Sequence, residues 1–230
     1  MRGMFDTVPD KYALLNKVLT FGRDEIWRSR VTELIRPDKG ARILDICTGT
    51  GDLALRLARE FPASDIYAVD FSPKMLYTAK NRAALSGAGN LTFREEDCRA
   101  LGFEGASFDY VTVSFGFRNL SYSMANLSAA LKEIFRVLKD GGRFIILETS
   151  QPENALMRGV FHLYARTAVP FIGSLIAGNK EPYRYLGASI AKFFDRDGLV
   201  RVLASHGFRR ERILTFAFGA IALSVFRKSV

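Results

Sequence analysis

The sequence predicts one α/β domain with a doubly wound, mostly parallel sheet of seven strands and helices on both faces, and three observations support this prediction. Short apolar runs rich in branched residues alternate with longer stretches in which apolar residues recur at helical spacing. Two glycines separated by one residue directly follow the first apolar run, which is typical of a loop that approaches a ligand. Two further apolar runs near the end of the chain complete the sheet.

The composition favours a single domain that meets an acidic partner. The chain has 230 residues, of which 48% are hydrophobic, so we expect one domain over residues 1–230. Its formal charge of +9 suits nucleic acid, an anionic membrane surface or a charged cofactor. The chain has no long block of Lys or Arg that would indicate a nucleic-acid tail. It also has no window of about 18 uncharged apolar residues that would indicate a spanning helix. Cys47 and Cys98 lack metal-site spacing and the start of the chain is polar, so we expect a reduced, cytoplasmic protein without a metal.

The first two thirds of the chain are expected to hold two cap helices and then the ligand-binding core. Residues 1–40 form the cap helices, and the second of them carries Trp27 and Val31 on its apolar face. Residues 41–150 form the core, with strands predicted near 43–46, 65–70, 90–97, 108–114 and 143–148. Helices are expected between these strands, and a Gly-Gly turn should precede the fifth strand.

The last third of the chain is expected to add a helical insertion and to close the sheet. Residues 151–195 form the insertion, a lid or acceptor-binding element in which Pro170 should end or kink the first helix. Residues 196–230 supply a closing helix and two strands. Asp195 or Asp197 should cap that helix, which is expected to run to residue 206 before Gly207 stops it.

Polar side chains at the ends of the first two strands indicate a cofactor site. Gly49 and Gly51 should admit a ligand at the carboxyl end of the first strand, which itself carries Asp45. Asp70 ends the second strand about 20 residues later, where nucleotide-binding folds place the acid that binds two ribose hydroxyls. The alternative for Asp70 is the N-cap of the next helix, a role that Ser72 can fill alone.

The third and fourth strands extend this predicted site. Asp97 can accept the amino group of adenine, and Cys98 can supply a backbone amide and a small apolar wall. The alternative for Asp97 is an ordinary loop position. Ser114 ends the fourth strand, and residues 114–119 are the expected reaction face.

Two classes of cofactor fit the glycine pattern. Residues 49–54 match the G-x-G-x-x-A fingerprint, so a nicotinamide-dependent oxidoreductase is one alternative. Asp45, Asp70, Asp97 and the turn at 141–142 together resemble the Rossmann-like methyltransferases that use S-adenosylmethionine. A methyltransferase of RNA or of amino groups is a further alternative that the basic charge suggests. Amino-group enzymes commonly carry an Asn/Asp-Pro-Pro-aromatic turn where this chain has Ser114-Phe-Gly-Phe, which argues against them.

Over nearly its whole length the chain resembles the ubiquinone/menaquinone biosynthesis C-methyltransferase family. The narrowest shared motifs are Phe115-Gly-Phe-Arg-Asn119 and Tyr183-Arg-Tyr-Leu186, and Trp27-Arg28 and Leu147-Glu148 also match. The resemblance implies S-adenosylmethionine as cofactor and a small-molecule quinol as acceptor, either demethylmenaquinol or a benzoquinol precursor of ubiquinone. It implies cofactor contacts at these positions: Thr50, Asp70, Asp97, Cys98 and Ser114.

The same resemblance suggests which residues meet the acceptor. They are expected at the acceptor or its lid: Tyr12, Glu148, Tyr183 and Tyr185. The family usually has Tyr-Asp in its first helix, whereas Ala13 follows Tyr12 here, so an acidic contact is missing and another phenolic acceptor stays open.

Carbon methylation needs an electron-rich ring, so the enzyme must favour a phenolate. The guanidinium of Arg118 can stabilise the developing oxyanion and hold a water that takes the proton. Asn119 would orient that water or the ring oxygen. The alternative for Arg118 is a surface salt bridge.

A peripheral contact with the membrane is expected because a quinol with a long isoprenoid tail stays in the bilayer. Residues 156–178 are apolar and aromatic, and Arg158, His162 and Arg166 recur every four residues as a basic stripe. The alternative is a lid that packs inward, and the sequence leaves the oligomeric state open.

Overall fold

The computed structural model describes residues 17–177 and 181–229. The bounds of its elements are α1 Asp24–Glu33, β1 Arg42–Ile46, α2 Asp52–Glu60, β2 Asp65–Asp70, α3 Pro73–Ser86, β3 Leu91–Glu95, β4 Phe108–Ser114, α4 Phe117–Leu120, α5 Met124–Val137, β5 Leu138–Thr149, α6 Ala155–Ala177, α7 Glu181–Lys192, α8 Arg196–Ala204, β6 Phe208–Phe216 and β7 Ile221–Lys228. A short 3-10 turn, Ala217–Gly219, joins the last two strands.

The seven strands form one sheet in the order β3-β2-β1-β4-β5-β7-β6. Strands β1 to β5 pair in parallel, and β7 runs antiparallel between β5 and β6. The predicted fold class is therefore confirmed, together with the second cap helix and the helical insertion after β5. Most of the first cap helix lies outside the described residues.

Two apolar clusters cover the two faces of the sheet. One joins Trp27 and Val31 of α1 and Leu57 of α2 to one face, and the other joins α5 and α8 to the opposite face. Successive residues of β5, Ile145 and Ile146, belong to different clusters, as the two-residue period of a strand requires. Both faces are thus buried, which explains why the strands read as continuous apolar runs.

The strand order reverses between β1 and β4, and this is where an open α/β sheet binds its ligand. Non-glycine residues adopt the left-handed region on both sides of the reversal, with φ of 52° at Cys47 and 56° at Phe115. An added Cβ at Gly116 would lie 2.5 Å from the Cβ of Cys47, so only glycine lets the two loops approach so closely. Backbone strain of this kind is characteristic of functional sites.

The structure corrects several predicted boundaries. Helix α6 continues through Pro170 to Ala177, because its packing against α7 compensates for the one hydrogen bond that proline removes. Gly187 of α7 lies so close to the carbonyl of Ala165 that a side chain could not fit between the helices. Strand β5 begins at Leu138, so the Gly-Gly pair lies in an irregular part of the strand.

Helix α8 ends earlier than predicted, and one short helix lies where none was predicted. Asp195 is the residue that caps α8, since its Oδ1 accepts from the amide of Gly198 at 2.7 Å, and the helix ends at Ala204 instead of residue 206. The short helix α4 was not predicted, and it places Arg118 and Asn119 on a helical turn beyond β4.

Candidate active site

A cavity of about 410 Å³ opens at the carboxyl ends of β1, β2 and β4. Its size suits a small organic cofactor. The lining includes these predicted site residues: Asp45, Gly49, Thr50, Asp70, Asp97, Ser114 and Asn119. The remaining lining residues are Arg28, Cys47, Thr48, Asp52, Leu53, Phe71, Met75, Arg99, Phe115, Gly116, Leu120 and Asn126.

Asp70 is a buried carboxylate that links the glycine loop, residues 49–51, to α3. Its Oδ2 accepts from the amide of Gly49 at 2.9 Å, and its Oδ1 accepts from the amide of Ser72 at 3.0 Å. Burial raises the pKa of Asp70, and these amide hydrogen bonds oppose the shift. Ser72 caps α3 by accepting from the amide of Met75, so Asp70 is not needed as the cap.

Asp45 is almost fully buried at the base of the cavity. Its two oxygens accept hydrogen bonds from the hydroxyls of Thr48, at 2.7 Å, and Thr112, at 2.8 Å. Burial raises the pKa of Asp45 to about 7, although these two hydrogen bonds and the charge of Arg28 act in the opposite direction. A cationic group bound in the cavity would favour the ionised form of this carboxyl.

The residues of the glycine loop have two structural roles, one in the cavity lining and one in the packing of helices. Gly49 and Thr50 line the cavity, and the carbonyl of Thr50 is held by Arg82 at 2.7 Å. Gly51, with φ of 81°, precedes α2, and an added Cβ there would lie 3.1 Å from the Cβ of Ala79 on α3. Gly51 thus brings two helices together and does not line the described cavity.

Asp97 and Cys98 take different positions at the β3 side of the site. Asp97 lines the cavity and pairs with Arg99, whose Nη2 lies 2.6 Å from Oδ2. Cys98 lies behind the wall, with its Sγ 3.7 Å from the Sγ of Cys47. The contact with Cys98 and burial both raise the pKa of the Cys47 thiol.

Ser114 lines the cavity and has a buried hydroxyl without a partner in the described part of the chain. Its Oγ makes no hydrogen bond with any residue in the ranges 17–177 and 181–229. Buried hydroxyls are normally hydrogen-bonded, so this one fits a site that a polar ligand completes.

Arg118 lies beside the cavity and forms a buried ion pair, which corrects the alternative of a surface salt bridge. Its Nη1 lies 2.8 Å from Oε1 of Glu148, and its backbone amide donates to Oε2 of the same residue at 3.0 Å. Its Nε donates to the hydroxyl of Ser189 on α7 at 2.9 Å. Asn119, the next residue, is the one of this pair that lines the cavity.

Glu148 is the centre of this buried network. Its Oε1 also accepts from the amide and hydroxyl of Thr149, at 2.8 and 3.1 Å. The network joins β5, α4 and the insertion helix α7 next to the cavity. Tyr12 and the side chains of Tyr183 and Tyr185 lie outside the described part of the chain, so their predicted places at the acceptor stay predictions.

Arg28 lines the cavity and was not predicted as a site residue. It lies on α1, and its side chain is 4% exposed. The signal in the sequence was the Trp27-Arg28 pair in the shared motif, but a helical arginine on an otherwise apolar face has no assigned role until the fold shows what surrounds it.

Comparisons with known proteins agree with this geometry. The model of the ubiE/COQ5 methyltransferase family matches residues 1–228. A demethylmenaquinone methyltransferase of Thermus thermophilus is 41% identical over 219 residues, which cover 95% of this chain and 97% of that protein. The ubiquinone/menaquinone biosynthesis C-methyltransferase UbiE of Geobacter sulfurreducens is 38% identical over 96% of this chain and 86% of its own length.

Solved structures show the same fold at low identity. A SAM dependent methyltransferase from Aquifex aeolicus superposes with a TM-score of 0.66 at 17% identity, over 95% of this chain and 98% of that one. The [4+2]-cyclase SpnF superposes with a TM-score of 0.67 at 19% identity, over 90% and 81%. One of these neighbours is a cyclase, so the fold by itself does not identify the reaction.

Proposed function

The chain belongs to the ubiE/COQ5 methyltransferase family, and we propose that it transfers a methyl group from S-adenosylmethionine to a ring carbon of a reduced polyprenyl quinol such as demethylmenaquinol. The observation that carries the proposal is that one cavity is lined by Asp70, Asn119 and Ser114, whose hydroxyl has no partner among the described residues. The high coverage of the Thermus relative supports the quinol acceptor, and Ala13 is the reason to keep other phenols in the test.

The residues that line the cavity fit this cofactor. Asp70 accepts hydrogen bonds from the amides of Gly49, Ser72 and Phe71, and because a carboxylate has about four lone-pair sites it keeps acceptor capacity for a ribose hydroxyl. The Ser114 hydroxyl would gain a partner, and Asp97, which lines the cavity, would accept a hydrogen bond from the adenine amino group. S-adenosylmethionine supplies an electrophilic methyl group, and its transfer breaks a C–S bond, forms a C–C bond and releases a ring proton.

Arg118 and Asn119 are proposed to act on the acceptor. Nη1 and Nε of Arg118 have protein partners, whereas no described residue accepts from its Nη2, so this nitrogen can donate to the ring oxygen that becomes a phenolate. Asn119, on the cavity wall, can orient that oxygen or a water that takes the proton. The Glu148 carboxylate keeps the guanidinium in one orientation.

Cofactor binding tests the proposal most directly. Asp70→Ala should weaken the binding of S-adenosylhomocysteine by at least about 1.5 kcal/mol, because it removes hydrogen bonds to a charged group. Calorimetry measures this change. The matched control is Asp65→Ala at the exposed start of the same strand, which should leave the affinity unchanged. Tighter binding of NAD than of S-adenosylhomocysteine by the parent would contradict the methyltransferase assignment.

Acceptor identity needs a separate assay. The protein is incubated with labelled S-adenosylmethionine and reduced demethylmenaquinol, benzoquinols, simple phenols and RNA. We expect label on the ring carbon of the quinol. Label on RNA alone would overturn the proposed acceptor.

We also propose that the protein works at the inner face of the membrane, with α6 as the contact element. No helix in the described ranges is long and apolar enough to cross a membrane. The face of α6 that carries Val160, Leu163 and Phe171 is exposed, and Phe21 extends it by packing on Tyr164 with ring centroids 6.4 Å apart. Exposed aromatic and aliphatic side chains on one helix face suit the acyl boundary.

The structure corrects the predicted basic stripe of α6. The Nε2 of His162 forms a hydrogen bond with Oε1 of Gln151 at 2.7 Å and the ring is half-buried, so it does not belong to an exposed stripe. Arg158 and Arg166 are exposed and remain available for anionic head groups.

Vesicle sedimentation tests the contact. The triple variant Val160→Ser/Leu163→Ser/Phe171→Ser should bind vesicles of mixed anionic and neutral phospholipid at least about tenfold more weakly than the parent, because it removes the apolar face. Arg158→Glu/Arg166→Glu should weaken binding mainly at low salt. The control Tyr77→Ser/Leu85→Ser removes two exposed apolar side chains of α3 and should change nothing. Activity on a tail-less quinol should persist in all variants, and parental vesicle binding by the triple variant would exclude this face.

A further inference from the structure

Arg28, on the cavity wall, carries two hydrogen-bond donors, Nε and Nη2, that no residue of the described ranges accepts. Its Nη1 donates to Oδ2 of Asp24 at 2.6 Å and to Oε1 of Glu25 at 3.1 Å. Its Nε is buried and makes no hydrogen bond with any residue that the structure describes. Its Nη2 lies 3.8 Å from Oδ2 of Asp52, which is too long for a hydrogen bond.

A buried guanidinium donor without a partner indicates a ligand group. Leaving such a donor unsatisfied costs free energy, and the cost is higher for charged groups than for neutral ones. The Nε–H and the neighbouring Nη2–H point in parallel, so their natural partner is a planar anion with two oxygens. A carboxylate meets this requirement.

The position of Arg28 along the cavity selects which end of a ligand it meets. Asp70 ends β2, and Asp97 follows β3, so these residues define the nucleoside side of the sheet edge. Arg28 lies on α1, which packs on α2 behind the glycine loop, and its charge acts on Asp45 of β1. An elongated ligand with its ribose on Asp70 therefore extends its other end toward Arg28.

We infer that Arg28 binds the α-carboxylate at the amino-acid end of the cofactor through Nε and Nη2. This inference rests on the proposed function, because it takes S-adenosylmethionine or its demethylated product as the ligand. Nη1 is held by Asp24 and Glu25, so the side chain is oriented before the ligand arrives. With the carboxylate bound there, Asp45 is a buried carboxyl of the cavity lining that the ligand's ammonium group can meet.

The test compares two ligands that differ only beyond the thioether. S-adenosylhomocysteine carries the amino-acid end, and 5′-methylthioadenosine does not. Calorimetry with Arg28→Gln should show that the affinity for S-adenosylhomocysteine falls at least about tenfold, whereas the affinity for methylthioadenosine changes less than about twofold. Arg28→Lys should recover only part of the loss, because an ammonium keeps the charge but lacks the two-donor edge.

Arg56 on α2 supplies a matched control. Its Nε is also buried without a partner among the described residues, and its Nη2 also pairs with Glu25, but Arg56 is not part of the cavity lining. Arg56→Gln should leave both affinities unchanged. If Arg28→Gln lowers the affinity for both ligands equally, the inference is overturned and the role of Arg28 is to maintain the conformation of the glycine loop.

A measurement on the parent protein covers the case in which Arg28→Gln does not fold. The nitrogen-15 signal of the Arg28 Nε–H should shift on addition of S-adenosylhomocysteine and stay in place with methylthioadenosine. If the chemical shift of this signal does not change when either ligand is bound, the inference is overturned. A parent that binds neither ligand would instead reject the proposed function, so the two failures are distinguishable.

Discussion

Glu148→Ala should lower the free energy of unfolding by about 3–5 kcal/mol, because it leaves the buried guanidinium of Arg118 without its counter-charge. The side chains of Arg118 and Glu148 are 6% and 2% exposed, and their charged atoms are 2.8 Å apart. The variant also removes the acceptor for the amide and hydroxyl of Thr149. Urea unfolding at neutral pH measures the loss.

The double variant Arg118→Met/Glu148→Leu separates the ion pair from the fold. Replacing both partners with apolar side chains of similar size removes the buried charges together, so it should cost less than Glu148→Ala alone. A matched surface control is Glu211→Ala, whose partner Arg143 is 38% exposed, and it should change the free energy of unfolding by no more than about 1 kcal/mol. A loss below about 1 kcal/mol for Glu148→Ala would show that water reaches the pair.

Loss of the Arg118 charge should lower turnover by roughly a hundredfold or more while cofactor affinity stays nearly constant, because the oxyanion that it stabilises develops only on the acceptor. Arg118→Ala tests the charge directly, and Arg118→Met/Glu148→Leu repeats the test without an unpaired buried carboxylate. Rates are measured with a reduced quinol and saturating donor, and binding of S-adenosylhomocysteine is measured by calorimetry.

Glu148→Gln is the control for this second prediction. It keeps the guanidinium and an acceptor oxygen at position 148, so it should retain more turnover than either Arg118 variant. An equal loss of rate and cofactor affinity in the folded double variant would remove Arg118 from the reaction and leave it a structural role.

Sequence patterns predicted those parts of the site that local chemistry controls. The run of β1, the left-handed Gly49 and the start of α2 lie within one stretch, where apolar period and glycine conformation are both local properties. The same holds for Asp70, whose distance from the loop follows from the length of α2, and for the capping role of Ser72.

Tertiary packing overrode local preference in the insertion. Pro170 carries a strong signal for the end of a helix, yet α6 continues because Gly187 allows α7 to pack closely along it. His162 similarly has the spacing of a basic stripe but forms a hydrogen bond with Gln151. Partners distant in sequence decided both outcomes, and a periodic pattern does not contain them.

By itself the sequence determined the fold class and the edge of the sheet that binds ligand, because these follow from periodicity and from glycine positions. Only the tertiary structure decided which buried side chains lack hydrogen-bond partners. Among the residues that the structure describes, Ser114 and Arg28 have buried polar atoms without a partner, whereas Arg118 is paired with Glu148. The physical reason is that an unmet hydrogen bond is a property of all the atoms around a group, and the chain brings those atoms together only when it folds.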